Sequence, residues 1–293
     1  RGAGPMKIVV VGDVGLDIVA RHPEPIVYGG DTRAAVSVTG GGAGANTALW
    51  LRELDVDTTL VARVGDDAGG RLVRNELQAA DVRCEFAVDA ETATCCVVVL
   101  VDSAGQRTML PDRGANKRFR PEDVTEAALA GAQHLHLSGY VLLDPSSRPG
   151  GLAALALARE LGLTTSVDPQ AAALLTDPDA FLDDVRGVDL LLPNADELRA
   201  LTGSQDAEAA RNLLGTVGAV AVTFGLDGAA WVDGEGVVTA PAEDVPCVDS
   251  TGAGDAFDAG VLAAWLRGDA PDVILAAGAS LGARAVSRVG AQP

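Results

Sequence analysis

Three observations predict an α/β protein with a mainly parallel sheet covered by helices on both faces. Apolar strand-like runs alternate with helix-like segments along most of the 293 residues. Most of the runs are nearly continuous in apolar residues, as suits strands buried on both faces. Acids, amides and hydroxyls fall just beyond their carboxyl ends, where such sheets bind ligands.

In order, the strand signals are KIVVVG (7–12), TTLVARVG (58–65), HLHLSG (134–139), TTSVD (164–168), DLLLPN (189–194) and AVAVTFG (219–225). Helical segments are expected at 44–53, 67–79, 149–161, 178–186 and 205–216. Two stretches interrupt the alternation, 25–39 (PIVYGGDTRAAVSVT) and 92–110 (TATCCVVVLVDSAGQRTML). Each reads as β-rich runs joined by turn residues, the second as a hairpin turning at Asp102-Ser103-Ala104-Gly105. Together they predict a small β-sheet lid, built by insertions at about 14–39 and 92–112 on a single domain spanning 6–293. AAWVDGEGVVTA (229–240) is a further hairpin. Arg1 to Pro5 reads as a cloning remnant ahead of a natural start at Met6.

Composition excludes several classes. A formal net charge of −19 argues against a broad nucleic-acid-binding face. Lysine occurs only at Lys7 and Lys117, so no G-x-x-x-x-G-K-[ST] phosphate loop exists. Cys84, Cys95, Cys96 and Cys247 show neither metal nor disulfide spacing. No long charge-free apolar run and no signal peptide is evident, so a cytoplasmic enzyme without a membrane partner is expected. His134 and His136 alternate on a strand with no ligand set beside them and are expected to pack rather than bind metal.

Four motifs carry chemistry. In GGGAGANTALWL (40–51) a glycine-rich turn leads into a helix. Gly41, Gly42 and Asn46 could hold hydroxyl groups close to backbone amides. A dinucleotide fingerprint would need a strand immediately before it in the first strand–helix turn. In VGDVGLDIVA (11–20), Asp13 and Asp17 follow the first strand, and a carboxylate there can accept two sugar hydroxyls. In LLPNADEL (191–198), Asn194 and Glu197 share one side of a first helical turn. That pair suits Mg²⁺, directly or through water; an Asn cap with Glu at the third helical position needs no metal. In TFGLDG (223–228), Thr223, Gly225 and Gly228 follow a strand and precede the hairpin.

Near the end, VDSTGAGDAFDAG (248–260) places Gly252-Ala253-Gly254 before Asp255 at a helix start. Phe257, Val261 and Trp265, with Ala256, Gly260 and Ala264 beside them, describe a helix face packed closely on the sheet. An acid in a first turn can simply serve the helix dipole. The glycines are a stronger sign, since they admit close approach to the backbone.

These motifs, in this order, resemble the PfkB family of carbohydrate kinases, with the ribokinase-like three-layer α/β/α fold, from about Lys7 to Pro293. GGGAGAN and DSTGAGDAF carry the resemblance. It implies Asp255 as the base and the amides of Gly252, Ala253 and Gly254 as an anion hole. It implies Asp17, Gly41, Gly42 and Asn46 on the sugar, and Asn194, Thr223, Gly225 and Gly228 on the nucleotide. Glu197 would meet Mg²⁺ through water. Asp249, with carbonyls near Ser287 and Gly290, would hold a monovalent cation. ATP and Mg²⁺ are the implied cofactors, with K⁺ a candidate activator and a homodimer through the lid a candidate assembly. The implied activity is ATP-dependent phosphorylation of a primary hydroxyl of a small sugar. The alternatives are a nucleoside kinase of the same fold or a non-catalytic sugar- or nucleotide-binding protein. Ribokinases proper carry Asn where Gly15 stands, Lys where Ala43 stands and Glu around Tyr140, so ribose is not implied as the substrate.

Overall fold

The structure is a computed structural model that describes residues 6–293; the expected leader at 1–5 lies outside the described residues. The first half of the chain contains β1 (Lys7–Val11), β2 (Gly15–Arg21), β3 (Ala35–Gly41), α1 (Ala43–Arg52), β4 (Asp57–Gly65), α2 (Ala68–Ala79), β5 (Arg83–Asp89), β6 (Cys95–Val101) and β7 (Arg107–Asp112). There follow α3 (Glu126–Leu129), β8 (His134–Ser138), α4 (Tyr140–Leu143), α5 (Arg148–Glu160), β9 (Thr164–Asp168), α6 (Pro178–Asp184), β10 (Leu190–Leu191) and α7 (Ala195–Thr202). The chain closes with β11 (Ala219–Thr223), β12 (Ala229–Val232), β13 (Val237–Ala240), α8 (Ala253–Leu266) and α9 (Pro271–Val286).

Nine strands form the main sheet in the order β13-β12-β11-β10-β9-β8-β1-β4-β5. Every pairing from β11 to β5 is parallel, and β12 and β13 extend one edge antiparallel. β1 is fully buried, and its side chains alternate between two apolar layers. Ile8 and Val10 join Trp50 of α1, Leu262 of α8 and Leu275 of α9. Val9 and Val11 join Leu155 of α5, Phe181 of α6 and Leu198 of α7. The continuous apolar runs are therefore the middle layer of three. No helix among the described residues is long and apolar enough to cross a membrane.

A separate four-stranded sheet, β3-β2-β6-β7, stands at the carboxyl ends of the main strands. β6 and β7 are the expected hairpin, turning at Asp102–Gly105. The first insertion differs from expectation. Residues 25–34 form a loop, and β3 pairs with β2 instead of with a strand at 25–28. Pro23 and Pro25 deprive that stretch of ladder donors.

Other differences have local causes. The run at 189–194 yields only the two-residue β10, because Pro193 has no N–H to pair and Asn194 turns to cap α7. Residues 207–213 wind as a 3₁₀ helix, with buried Ala210 and Leu213 three apart, a spacing that eclipses in such a helix. β5 was not anticipated; it is a half-exposed edge strand that mixes polar and apolar residues. The small-residue face of α8 receives α9 more than the sheet. A Cβ at Gly260 would lie 2.4 Å from the Ala277 carbonyl oxygen, so glycine is what lets the two helices touch.

Candidate active site

The main strands end at a row of three cavities. An apolar slot of about 330 Å³ runs between the turn after β11 and the α8–α9 pair. Gly225, Gly228, Phe257, Ala283 and Val286 are among its walls. A second cavity of about 200 Å³ is lined by Asp168, Asn194, Glu197, Asp255 and Asp258, with no lysine or arginine. Thr223 and Gly254 border both, so the two spaces meet at the start of α8. A third, of about 180 Å³, lies beneath the small sheet and holds Asp17, Thr39, Arg107 and Asp249.

Gly252, at φ +75°, turns the chain into α8. A side chain there would strike Ala291, its Cβ only 2.5 Å from the carbonyl oxygen. The Ala253 N–H reaches Ser250 O at 3.4 Å, whereas the N–H groups of Gly252 and Gly254 make no hydrogen bond among the described residues. Asp255 is buried in the first turn. Its carboxylate accepts from Asn46 Nδ2 at 2.9 Å and from Gln170 Nε2 at 3.4 Å. Burial pushes its carboxyl up to about 6, against the pull of those two amides.

Asn194 and Glu197 realise the capping arrangement. Asn194 Oδ1 accepts from the N–H groups of Asp196 and Glu197, and Glu197 Oε2 accepts from the Asn194 N–H at 2.8 Å. Burial raises the Glu197 carboxyl to about 7 despite these bonds. Beside it, Asp168 and Asp258 are both raised well above the usual carboxylate range, by burial first and by neighbouring carboxylates second. Each opposes ionisation of the other, so the two titrate as a pair. Among the described residues no three His, Cys, Asp or Glu side chains converge as a metal shell would require. A divalent ion here would arrive with its own waters or phosphate ligands.

On the other side, Gly41 makes room for Asp17: a Cβ at Gly41 would sit 2.5 Å from Asp17 Oδ2. Asp17 is half-buried, and burial lifts its carboxyl to about 6. Gly42, at φ +101°, passes so close to Asp13 that a Cβ would lie 2.4 Å from the Asp13 carbonyl oxygen. Asp249 is buried at the far end, where its carboxylate meets Arg107 Nη2 at 2.5 Å.

The model of the pfkB family carbohydrate kinases matches residues 6–293. The chain belongs to that family. It is a carbohydrate kinase. An ATP-dependent ribose-1-phosphate kinase from Halopiger xanaduensis is 33% identical over 290 residues, covering 98% of this chain and 94% of the relative. A fructokinase from Klebsiella pneumoniae is 32% identical over 288 residues, covering 92% of this chain and 88% of that one. The crystal structure of adenosine kinase from Sinorhizobium meliloti superposes with a TM-score of 0.89 at 23% identity, covering 99% of this chain and 96% of that one. At that identity the likeness speaks to the fold alone.

The geometry of this pfkB kinase adds residues that the sequence did not mark. Asp258 stands three residues after Asp255 on the same apolar helix, and that spacing is the signal that could have found it. Gln170 carries φ +70°, rare for a residue with a side chain, and its amide bridges Asp168 and Asp255. Arg113 binds Asp13 at 2.9 Å and Asp144 at 3.0 Å, with its guanidinium 5.9 Å from the Tyr140 ring. A basic centre thus lies close to Tyr140. His134 and His136 pack as expected, with Thr164 and Ser166 as partners, and burial holds His136 neutral with its pKa lowered to about 3.

Proposed function

We propose that this carbohydrate kinase transfers the γ-phosphoryl group of ATP to a primary hydroxyl of a small sugar, with Asp255 as the base. The observation that carries the reading is the position of Asp255. It is buried beside Gly254, which with Thr223 borders both the apolar slot and the acidic cavity, and is tied to Asn46 from the sugar-side turn. The apolar slot suits a nucleotide base between Gly225, Gly228 and Phe257, with Thr223 and Asn194 toward its phosphates. Asp17, Gly41, Gly42 and Asn46 face the sugar. A proton leaves the hydroxyl for Asp255 as its oxygen bonds to the γ-phosphorus, and the bond from that phosphorus to the bridging oxygen breaks to release ADP. The N–H groups of Gly252 and Gly254, with that of Ala253 once it lets go of Ser250, meet the charge on the phosphoryl oxygens.

Mg²⁺ fits the acidic cavity on charge grounds. Four acidic side chains line a space without a basic residue, and Asp258 Oδ2 is buried with no hydrogen-bond partner among the described residues. When bound, the ion would neutralise phosphate charge; Glu197, Asp168 and Asn194 would hold its waters. The four-stranded sheet would act as a lid that excludes water and so protects ATP from hydrolysis. Exposed Val36, Val38, Met109 and Leu110 on its edge strands suit pairing of two lids into a homodimer. Free thiols at all four cysteines suit a cytoplasmic setting.

A coupled ADP-release assay tests the reading. The panel is pentoses, hexoses, keto-deoxy acids, nucleosides and ribose 1-phosphate. Sugar-dependent ADP formation that needs Mg²⁺ is expected. ADP release only with nucleosides would favour the nucleoside-kinase alternative, and none with any acceptor would refute catalysis.

A further inference from the structure

The resemblance leads one to expect a monovalent cation at Asp249, but the groups around that carboxylate do not fit one. Oδ1 accepts from the Thr251 N–H at 2.8 Å and from Arg107 Nη2 at 2.5 Å, and Oδ2 accepts from the Gly290 N–H at 3.1 Å. Gly290 therefore presents its N–H to this carboxylate. The Val286 carbonyl already accepts from the N–H groups of Val248 and Asp249. A K⁺ ion needs oxygen lone pairs turned toward it. Here the Arg107 guanidinium already holds the side of the carboxylate that such an ion would need, and its charge repels a second cation at this range.

Arg107 belongs to β7 of the small sheet, not to the main domain. Its other terminal nitrogen donates to the Thr251 hydroxyl, one residue before Gly252. We propose that the Arg107 guanidinium is a built-in replacement for the monovalent cation. It sets one fixed positive charge against the anion loop at 250–254 and ties that loop to the small sheet. A diffusible ion can occupy its site with the sheet open or closed. A guanidinium on β7 delivers its charge only while the sheet is docked, so readiness of the anion loop follows docking. Arg107 is thus a positioning residue that acts through Asp249 and Thr251.

The inference rests on the reading of Gly252 to Gly254 as the anion hole. Its test is ADP release with the best sugar at constant ionic strength, in potassium chloride against tetramethylammonium chloride. Thermal melting of the ligand-free protein is followed in the same two salts. Wild-type rates are expected to agree within about twofold, with no potassium-specific rise in melting temperature. Arg107→Ala is expected to lose about tenfold in tetramethylammonium and to regain activity in potassium, as the vacated carboxylate admits the ion. Its melting temperature should then rise with potassium. Arg107→Lys, which keeps the charge, should retain more activity than Arg107→Ala in tetramethylammonium. Strong potassium activation of the wild type would overturn the inference. So would an Arg107→Ala loss that is equal in both salts with no potassium-specific melting shift. Should no acceptor yield ADP, the kinase reading fails while the melting comparison still decides the cation question.

Discussion

Asp255→Asn separates catalysis from stability, and the two should move in opposite directions. Burial lifts the Asp255 carboxyl from 3.8 to about 6. That rise of roughly 2 units corresponds to about 3 kcal/mol between the charged and neutral forms. The folded state holds this proton more tightly than the unfolded chain does. Its stabilising contribution is therefore complete below the unfolded value and is lost as pH rises through about 6. At about pH 8 the ionised carboxylate is a net burden on the ligand-free fold. An asparagine of the same size removes the charge, although its NH2 replaces one of the two oxygens that accept separately from Asn46 and Gln170. A gain of roughly 1–3 kcal/mol near pH 8, shrinking toward pH 5.5, is expected from urea unfolding. Turnover should fall by about 10² to 10⁴ if the lost group is a general base. Undiminished turnover would sink the role assigned to Asp255. Equal destabilisation at both pH values would show that its charge is not strained in the fold.

Other outcomes test neighbouring parts of the site. The value of kcat/KM should climb with pH through about 6, because the base must be a carboxylate to accept a proton; a flat profile between about pH 5 and 7 would contradict this. Glu197→Gln keeps an oxygen for the Asn194 N–H but loses its charge, so the apparent affinity for Mg²⁺ in a metal titration should weaken by about 10- to 100-fold. Gly252→Ala forces a side chain onto Ala291 at positive φ and should destabilise the fold by on the order of 1–3 kcal/mol in urea. Gly254→Ala meets nothing within 4 Å and should unfold like wild type. Its methyl group enters the space between the two cavities and should slow turnover by on the order of 10².

Features set by local sequence were the readable ones. The buried parallel strands announced themselves as apolar runs, and the start of α8 as glycines before an acid. Gly42, Gly252 and Gly228 stand at positive φ, so a backbone demand is written directly into residue type. What stayed hidden depends on tertiary neighbours. β5 is an edge strand whose alternation resembles a loop, and β2 finds β3 across a long excursion that local pairing rules do not reach. Asp258 and Gln170 gain their significance only when α8 meets the turn after β9. The ion pair of Arg107 with Asp249 joins a hairpin strand to a loop far along the chain, and neither residue is unusual in its own segment.

The place of β1 has a consequence for how the protein comes into being. β1 is an interior strand whose two neighbours, β4 on one side and β8 on the other, both lie later in the chain. During synthesis one edge of its apolar ladder stays open until the chain has reached His134. Of the helices in the layer over Ile8 and Val10, α8 and α9 follow every strand of the sheet in the chain. Such long-range pairing makes folding slow and leaves adhesive edges exposed meanwhile. Loss of α9, which packs directly on α8 at Gly260, should therefore leave an aggregating intermediate instead of a smaller folded domain.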